Sequence, residues 1–334
     1  MKTAVRAVVL VMVLLLSQPA LADAIDPFDY FSVYSLGDIG TSGRRFQATF
    51  SGTAGAAGNV HLSSSSILPA STAGYALHVG GDLSAQYSTT FGGLTEAGGQ
   101  IGMNGVIVRG DLRAGGSISD FGWGGATIQG SAYAAGTVTF SNRVSTQGTH
   151  AGTPYGSHVD HQVVSACFRD TSSYIGGLSS TGSVNNYYGN LIFTGQSGLN
   201  VVEIDQQTLR NAWGFTIIAP EDSVVLINVL DTTVSLDNTT WVLQGGIERQ
   251  SVLLNMPHAV DLTLSQTNVV NILAPWATTE FLQGNVDGML VVGNLYGGGH
   301  VTGGGTFDAS TVPEPATLSM LVLGGLALLW RRRA

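Results

Sequence analysis

The chain has 334 residues, of which 46 are glycine and 10% are charged, and its formal net charge is −9. This composition is typical of a secreted β protein with many tight turns and excludes a disordered chain. An acidic chain whose only lysine is Lys2 repels phosphate backbones, so no nucleic-acid partner is expected. Cys167 is the only cysteine, which excludes a disulfide framework.

The first segment has the order of a secretory signal peptide. A cationic start is followed by an apolar run over 8–16 and then by Ala20-Leu21-Ala22. This run is shorter than the roughly 20 apolar residues that a membrane-spanning helix needs, and small residues suit signal peptidase. The sequence therefore predicts a signal peptide over 1–22, removed by signal peptidase, with Ala20 and Ala22 as processing residues.

A nine-residue shape then recurs, in which alternating apolar residues lead to glycine followed by Asp, Ser or Asn. The alternation puts every second side chain on one face of a strand, and the glycine suits a corner with positive φ. Units of strand, corner and strand that cannot bury their faces alone predict a parallel β-solenoid, in which each coil covers the next. The copies are "VYSLGDIGT" (33–41), "LHVGGDLSA" (77–85), "VIVRGDLRA" (106–114), "ATIQGSAYA" (126–134) and "MLVVGNLYG" (289–297).

The corner glycines Gly37, Gly81, Gly110 and Gly130 do not follow a fixed period. Either loops decorate the coils, or the fold is a sandwich. We expect an all-β solenoid over 23–311, and the alternation assigns side chains to its two sides. The residues predicted to point inward are Val106, Val108, Ile128, Val138, Phe140, Leu262 and Leu264, and those predicted to point outward are Arg109, Arg113, Thr139 and Asp261.

One segment, 155–178, breaks the β pattern. Apolar and small residues near helical spacing, followed by Gly176-Gly177, predict a single amphipathic α-helix over 158–176. The helix is expected on the flank of the solenoid, with Cys167 buried as a small hydrophobic residue. The predicted buried stripe is Val159, Val163, Ala166, Cys167 and Tyr174.

The titratable residues do not form a convincing catalytic or metal site. His150, His158 and His161 with Asp160 are the closest cluster, but no cysteine pair or HExxH motif accompanies them. We therefore expect no metal, no cofactor and no catalytic residues.

Two aspartates suggest an alternative, because glycan-cleaving β-helices use paired carboxylates. Asp82 and Asp111 follow corner glycines that look equivalent and would stack on successive coils. The favoured interpretation is that each side chain caps its own turn. The "YGGGHVTGGG" run (296–305) lacks the Lys-Ser/Thr ending of a phosphate-binding loop.

The chain closes with "VPEPATLSMLVLGGLALLWRRRA" (312–334). The apolar run over 316–330 spans less than the ~30 Å hydrocarbon core at about 1.5 Å per residue. The order of tripeptide, short apolar helix and arginines resembles the PEP-CTERM sorting signal of Gram-negative bacteria. The resemblance implies transient membrane insertion, cleavage by an exosortase, and export to the surface or exopolysaccharide matrix; a plain membrane anchor is the alternative. The implicated residues are Pro313, Glu314 and Pro315 for processing and Arg331, Arg332 and Arg333 as the membrane stop.

The domain between the two signals resembles the choice-of-anchor A domain. Its beginning matches over 30–67, where a Gly-Asp corner precedes "AAGNV", and its end matches over 251–301, which contains "ILAP". Asn255-Met256-Pro257 departs from the Asn-Phe-Pro of that family, and "SGRRFQATFSG" (42–52) departs from its usual loop. The resemblance implies a secreted surface protein with an adhesive role and no catalytic residues.

The function expected from the sequence is therefore structural or adhesive, with matrix polysaccharide or surface proteins as partners. Two alternatives remain: an ice-binding-like solenoid, for which Thr127, Thr137 and Thr139 are too few and irregular, and a polysaccharide-degrading enzyme. Aromatic side chains stack on sugar rings. The candidates are Trp123, Tyr133, Tyr187, Tyr188, Trp213 and Trp276.

Overall fold

The computed structural model describes residues 26–69, 74–237, 239–304 and 307. The predicted signal peptide and sorting signal, with their processing residues and terminal arginines, lie outside these ranges. Three α-helices are present in the described part: α1 (Pro27–Tyr30), α2 (His161–Gly176) and α3 (Gln206–Asn211), with a 3₁₀ turn at Arg249–Ser251. None of the described helices is long and apolar enough to cross a membrane.

Short strands make up most of the described chain. The N-terminal half-solenoid contains β1 (Val33–Ser35), β2 (Thr49–Ser51), β3 (Ala54–Ala56), β4 (Val60–Ser63), β5 (Ser66–Leu68), β6 (Tyr75–Val79), β7 (Leu83–Phe91), β8 (Leu94–Ala97), β9 (Ile101–Val108), β10 (Leu112–Ala114), β11 (Ile118–Asp120), β12 (Ala126–Ile128), β13 (Ser131–Ala134), β14 (Val138–Thr139), β15 (Val144–Ser145) and β16 (Gly148–His150). The C-terminal half-solenoid contains β17 (Asn185–Tyr187), β18 (Asn190–Thr194), β19 (Gly198–Glu203), β20 (Gly214–Ile218), β21 (Ser223–Asn228), β22 (Thr233–Leu236), β23 (Thr240–Gln244), β24 (Val252–Asn255), β25 (Asp261–Leu264), β26 (Asn271–Phe281), β27 (Asn285–Asp287), β28 (Leu290–Gly297) and β29 (His300–Thr302).

The described strands pair in parallel, except for the antiparallel hairpin of β17 and β18. Parallel pairing of strands one coil apart is the mark of a solenoid, so the predicted β-solenoid is confirmed and the sandwich alternative is wrong. Each coil has three faces. The long strand β9 shows this, because its first part pairs with β11 and its end pairs with β12.

We name the faces by their strands. Face A runs in the order β16-β13-β10-β8-β6-β3-β1-β28-β26-β24-β21-β19. Face B contains β4, β11, β14 and the first part of β7, and face C contains β2, β5, β12, β15, β27 and β29. The four-stranded sheet β17-β18-β20-β23 is the outermost part of the C-terminal half-solenoid.

The order of face A shows that the described part of the chain begins in the middle of the solenoid. β1 pairs with β3 on one side and with β28, near the end of the chain, on the other. The chain winds outward from β1 to β16, crosses along α2 to the far end, and winds back from β19 to β28. The helix is therefore the connection between the two half-solenoids.

Two apolar cores hold this arrangement together. The first fills the interior of the coils and contains the predicted inward residues, with Val138 and Phe140 only partly buried. Arg109, Thr139 and Asp261 are exposed and Arg113 is half-exposed, as the alternation predicts. The second core lies between α2 and the outer side of face A, where Val164, Phe168 and Ile175 of the helix are buried.

The predicted flanking helix is present, and the stripe predicted for it is confirmed in part. Val159 is buried and Cys167 and Tyr174 pack against the second core, whereas Val163 and Ala166 are exposed. Asp160 caps the helix by accepting hydrogen bonds from the backbone of Gln162 and Val163. Val163 is 63% exposed, and the buried side includes Ser172, whose hydroxyl donates to Asn255 Oδ1 at 2.6 Å. A buried serine interrupts the apolar signal of the true stripe, so hydropathy predicted only part of the buried side. Cys167 is half-buried, and burial raises the pKa of its thiol.

The corners at Asp82 and Asp111 differ from expectation in two ways: in their positions and in the turns that the aspartates cap. Asp82 lies between faces A and B, whereas Asp111 lies between faces C and A, so the two positions are not equivalent. Asp82 Oδ1 accepts from the backbone N–H of Gln100 at 2.7 Å, and Asp111 Oδ1 accepts from that of Ser131 at 3.0 Å. Each carboxylate therefore caps the turn of the next coil rather than its own turn.

Candidate functional site

The outer surface of face A is largely covered. Helix α2 lies over the C-terminal half-solenoid, and the crossover segment, residues 151–160, contacts the outer side of β8 and β10. Faces B and C carry no such cover in the described part of the chain. The chemistry available to a partner therefore lies on faces B and C and at the two ends of the solenoid.

The most buried polar cluster lies under the crossover segment. His78 and Glu96 occupy paired positions on β6 and β8, and His78 Nδ1 lies 2.8 Å from Glu96 Oε1. Tyr30 OH lies 2.7 Å from His78 Nε2, and Glu96 Oε1 also accepts from the backbone N–H of His158 at 3.2 Å. Burial raises the pKa of Glu96, but the hydrogen bonds and charges of His78 and His158 outweigh it and hold the pKa below its usual range.

Both side chains of the His78–Glu96 pair are fully buried. A substrate therefore has no access to the carboxylate, and the pair anchors the crossover segment to face A. Removing one member of a buried charged pair leaves the other uncompensated, so both residues are needed. The His78–Glu96 pair thus fixes the position at which the crossover segment leaves face A toward α2.

The three histidines proposed for a metal cluster are separated. His150 stacks on Tyr133 with ring centroids 4.6 Å apart, His158 lies beside Glu96, and His161 stacks on Tyr34. Tyr34 OH lies 2.9 Å from His161 Nδ1, and burial lowers the pKa of His161 to about 4. Within the described ranges, no three His, Cys, Asp or Glu side chains are placed to share a metal ion.

Tyr133 is not a free sugar-stacking surface. Its ring is stacked on His150, and the Arg113 guanidinium lies 5.7 Å from the ring centroid. Arg113, Tyr133 and Tyr155 line a cavity of about 290 Å³ beside the crossover segment. The ring therefore contributes to packing at this cavity.

Three of the predicted aromatic residues come together at the far end of the C-terminal half-solenoid. We call Tyr187, Tyr188 and Trp213 the aromatic hairpin. Their exposed fractions are 65%, 87% and 58%, respectively. Tyr187 and Tyr188 pack edge to face with ring centroids 4.8 Å apart.

The local backbone fixes these rings. Tyr188 and Gly189 form the two-residue turn between β17 and β18, with φ values of 49° and 85°, which is typical of a type I′ hairpin turn. Trp213 Nε1 donates to the carbonyl of Tyr188 at 2.8 Å. A Cβ at Gly189 would lie 2.9 Å from Trp213 Cδ1, so the glycine packs directly on the indole. The hairpin thus presents large apolar rings to solvent in a fixed orientation.

The sheet beside the aromatic hairpin carries no charge. The segments of β17, β18, β20 and β23 read NNY, NLIFT, GFTII and TWVLQ. Their outward positions place Ile192, Thr216 and Val242 side by side in register, while Phe215 and Trp241 point into the core. We call this surface the neutral strip.

The remaining aromatic candidates lie elsewhere. Trp123 is 84% exposed in the loop between β11 and β12, and the Arg143 guanidinium lies 4.7 Å from its ring centroid. Trp276 is partly exposed within β26. The sequence identified the separate rings, whereas only the parallel coils show that Tyr188 and Trp213 meet.

Threonines do not form a regular rank on one face. On face C the outward column of the N-terminal half-solenoid reads Thr49, Ser66, Thr90, Ile107, Thr127 and Ser145, so two serines and an isoleucine interrupt the threonines. Thr139 lies on another face, where it pairs with Ser119.

No curated protein matches the sequence significantly. A crystal structure of an ice-binding protein from an Antarctic Flavobacteriaceae bacterium aligns with 84% of this chain and 97% of its own, at 10% identity and a TM-score of 0.26, so the two backbones superpose poorly.

Two family models match the sequence. Residues 311–333 match the PEP-CTERM protein-sorting motif, which confirms the predicted sorting signal. This motif implies processing by an exosortase and export through the membrane to the cell surface of a Gram-negative bacterium. Residues 24–303 match the model of an ice-binding-like adhesive domain. Because this match spans most of the chain, the chain belongs to the ice-binding-like adhesive domain family.

Proposed function

We propose that this protein is a non-enzymatic adhesin that binds neutral polysaccharide of the extracellular matrix through the aromatic hairpin. The observation that supports the proposal most directly is the fixed exposure of Tyr187, Tyr188 and Trp213. A monomeric protein rarely leaves large rings exposed together without a partner for them. The membership in an adhesive family supports the same conclusion.

The chemistry of the surface favours sugars without charge. The faces of aromatic rings pack against the apolar C–H faces of pyranose rings, and rings that are already ordered lose little entropy on binding. The adjacent neutral strip offers Thr216 hydroxyl and Val242 methyl groups but no cation for a carboxylate. The net charge of −9 further disfavours an anionic polymer.

The path of the chain leaves the aromatic hairpin free. Phe28, close to the start of the described chain, and Phe307, at its end, lie together with ring centroids 6.0 Å apart. Both belong to the core on the outer side of face A, in the middle of the solenoid. A surface attachment that follows Phe307 would therefore hold the molecule by its middle and leave both ends accessible.

The resemblance to choice-of-anchor A domains is a further part of this proposal. It depends on the motifs over 30–67 and 251–301. The first range contains β1, the second contains β28, and these two strands pair in the middle of the solenoid. This resemblance and the sorting signal both point to a surface-exposed adhesive domain whose anchor is supplied separately. We propose the biofilm or exopolysaccharide matrix as the location.

Incubation of the exported protein with neutral matrix polysaccharide separates the competing functions. We expect the protein to be retained on the polymer without release of reducing ends. Release of reducing ends would identify a polysaccharide-degrading enzyme and contradict the proposal. Thermal hysteresis of ice growth, in a protein that the polymer does not retain, would favour an ice-binding function instead.

A further inference from the structure

One end of the solenoid is an open set of strand edges. The open end is the last coil of the N-terminal half-solenoid, residues 137–152, with β14, β15 and β16. Among the described strands, β14 and β16 end their sheets and β15 pairs only with β12. The N–H of Ile118 donates to the carbonyl of Thr137, so the parallel ladder directs the backbone groups of Val138 away from β11, toward the open end.

The interior of the coils is also incompletely covered there. Val138, Phe140 and Val144 of the open end are only partly buried, whereas Ile118, one coil further in, is fully buried. Thr149 pairs with the buried Ala132 and so occupies an interior position, yet its side chain is exposed. A terminal coil of this kind presents both unpaired backbone and apolar surface to solvent.

At the opposite end, the chain itself covers the edge of face A. The N–H of Thr181 donates to the carbonyl of Val201, and Thr181 Oγ1 accepts from the N–H of Val201 at 2.9 Å. These bonds lay the segment around Ser180 along the edge of β19. The edge of face A is thus covered at that end, whereas at the open end all three faces are uncovered in the described part of the chain. This difference indicates that the open end has a partner.

The open end carries none of the charges that normally block an edge. Arg143 is its only charged residue other than histidine, and the guanidinium is turned back onto its own solenoid, where Nη1 donates to the carbonyl of Trp123 at 2.9 Å. Lysine and proline, which discourage edge pairing, are absent from 137–152. Two such ends would approach each other without repulsion between like charges.

We propose that the open end binds the open end of a second copy of this chain. The edges of β14, β15 and β16 surround one triangular cross-section, so a partner that pairs with all three must present three edges in the same arrangement. The open end of a second copy presents them. A two-fold axis across the solenoid brings the edges together antiparallel, which gives a closed dimer rather than a fibre. Since Phe28 and Phe307 lie in the middle of the solenoid, an attachment there leaves the open end free to join copies on neighbouring cells.

Sedimentation velocity of the exported protein over a wide concentration range tests this pairing. We expect a monomer–dimer equilibrium for the native chain. Thr149→Arg places a charge in the centre of the open end and should weaken the dimer by about tenfold or more. Thr127→Arg is the matched control, because Thr127 is equally exposed but points outward on face C of an inner coil, and it should leave the dimer unchanged.

Hydrogen exchange provides a second measurement that does not depend on a substitution. Amides of 137–152 should gain protection as the protein concentration rises, while amides of the exposed edge strand β17 should not. A native protein that remains monomeric at every concentration would overturn the proposal. Equal weakening by Thr149→Arg and Thr127→Arg would do the same.

Discussion

Glycine precedes the corner Asp and Asn residues for a reason of space. Asn294, Asp38, Asn59 and Asp82 form a ladder in which each side-chain oxygen accepts a backbone N–H from the next coil, at 2.6 to 3.0 Å. A Cβ on Gly58 would collide with Asp38 Oδ1. The corner glycines Gly37, Gly81, Gly110 and Gly130 are not among the residues with positive φ, so the expected conformational reason is wrong. The ladder also joins the two half-solenoids, because Asn294 bonds to Asp38.

The buried imidazole of His161 makes the stability of the protein depend on pH. Its pKa falls to about 4 in the folded chain, from an ordinary value near 6.5, so the unfolded chain takes up the proton first. Neutral His161 therefore stabilises the folded chain by up to about 3 kcal/mol. This stabilisation is fully present above about pH 6.5 and is lost as the pH falls toward about 4. We predict that His161→Gln flattens this part of the profile in urea unfolding at several pH values. His258→Gln, an exposed control, should keep the native slope; the account fails if the two variants behave alike.

Leu262 tests the assignment of side chains within one strand. It is fully buried in β25 between Val234 and Thr279, so Leu262→Ala should lower the free energy of unfolding by about 2–5 kcal/mol. Its neighbour Asp261 is exposed, and Asp261→Ala should change stability by no more than about 0.5 kcal/mol. Denaturant unfolding measures both, and a loss below about 0.5 kcal/mol for Leu262→Ala would contradict the packing.

At the scale of elements, α2 connects the two half-solenoids and depends on Phe168. This ring is fully buried and lies 4.9 Å from Phe28 and 5.4 Å from Tyr34, measured between centroids. Phe168→Ala should therefore cost about 3–5 kcal/mol, whereas Val163→Ala on the exposed side should cost about 0.5 kcal/mol or less. Thermal and urea unfolding of both variants checks this. Equal losses of unfolding free energy in the two variants would mean that Val163 is buried, as hydropathy predicts, and would contradict the packing of α2.

The sequence predicts elements better than it predicts their surroundings. Alternation identified the inward Val106 and Leu264 because a strand buried on one side leaves a period of two in the sequence. The helix was also predicted, but its buried side only in part, since Ser172 packs through hydrogen bonds that hydropathy does not detect. The aromatic hairpin illustrates the same limit: Tyr188 and Trp213 are 25 residues apart and meet only because one coil separates them.

At the scale of the whole molecule, the topology was not predictable from local patterns. The repeats predict that coils stack, but they do not specify that β1 pairs with β28 at the other end of the chain. This long-range pairing places both ends of the described chain side by side in the middle of the solenoid.

Processing of the C-terminal sorting signal has a direct genetic test. Proline disfavours helical backbone, and a processing enzyme binds an extended backbone, so we predict that Pro313 and Pro315 are needed for processing by the exosortase. We predict that protein found outside the cell lacks residues beyond the tripeptide, and that replacing Pro313 and Pro315 by Ala retains the chain in the membrane fraction. Pro154→Ala, a control in the exposed crossover segment, should be exported normally. An intact Arg331-Arg332-Arg333 terminus in the mass spectrum of the exported form would favour a plain anchor.

The most direct test of the adhesive function is a binding isotherm of the exported protein on neutral matrix polysaccharide, measured by depletion from solution. Trp213→Ala removes the ring that is fixed against Gly189 and Tyr188, and we predict a Kd about tenfold higher, equal to ~1.4 kcal/mol. Trp123→Ala removes a still more exposed tryptophan from the other half-solenoid and should leave the Kd unchanged. Native affinity in the Trp213→Ala variant, or an equal loss in both variants, would contradict binding through the aromatic hairpin.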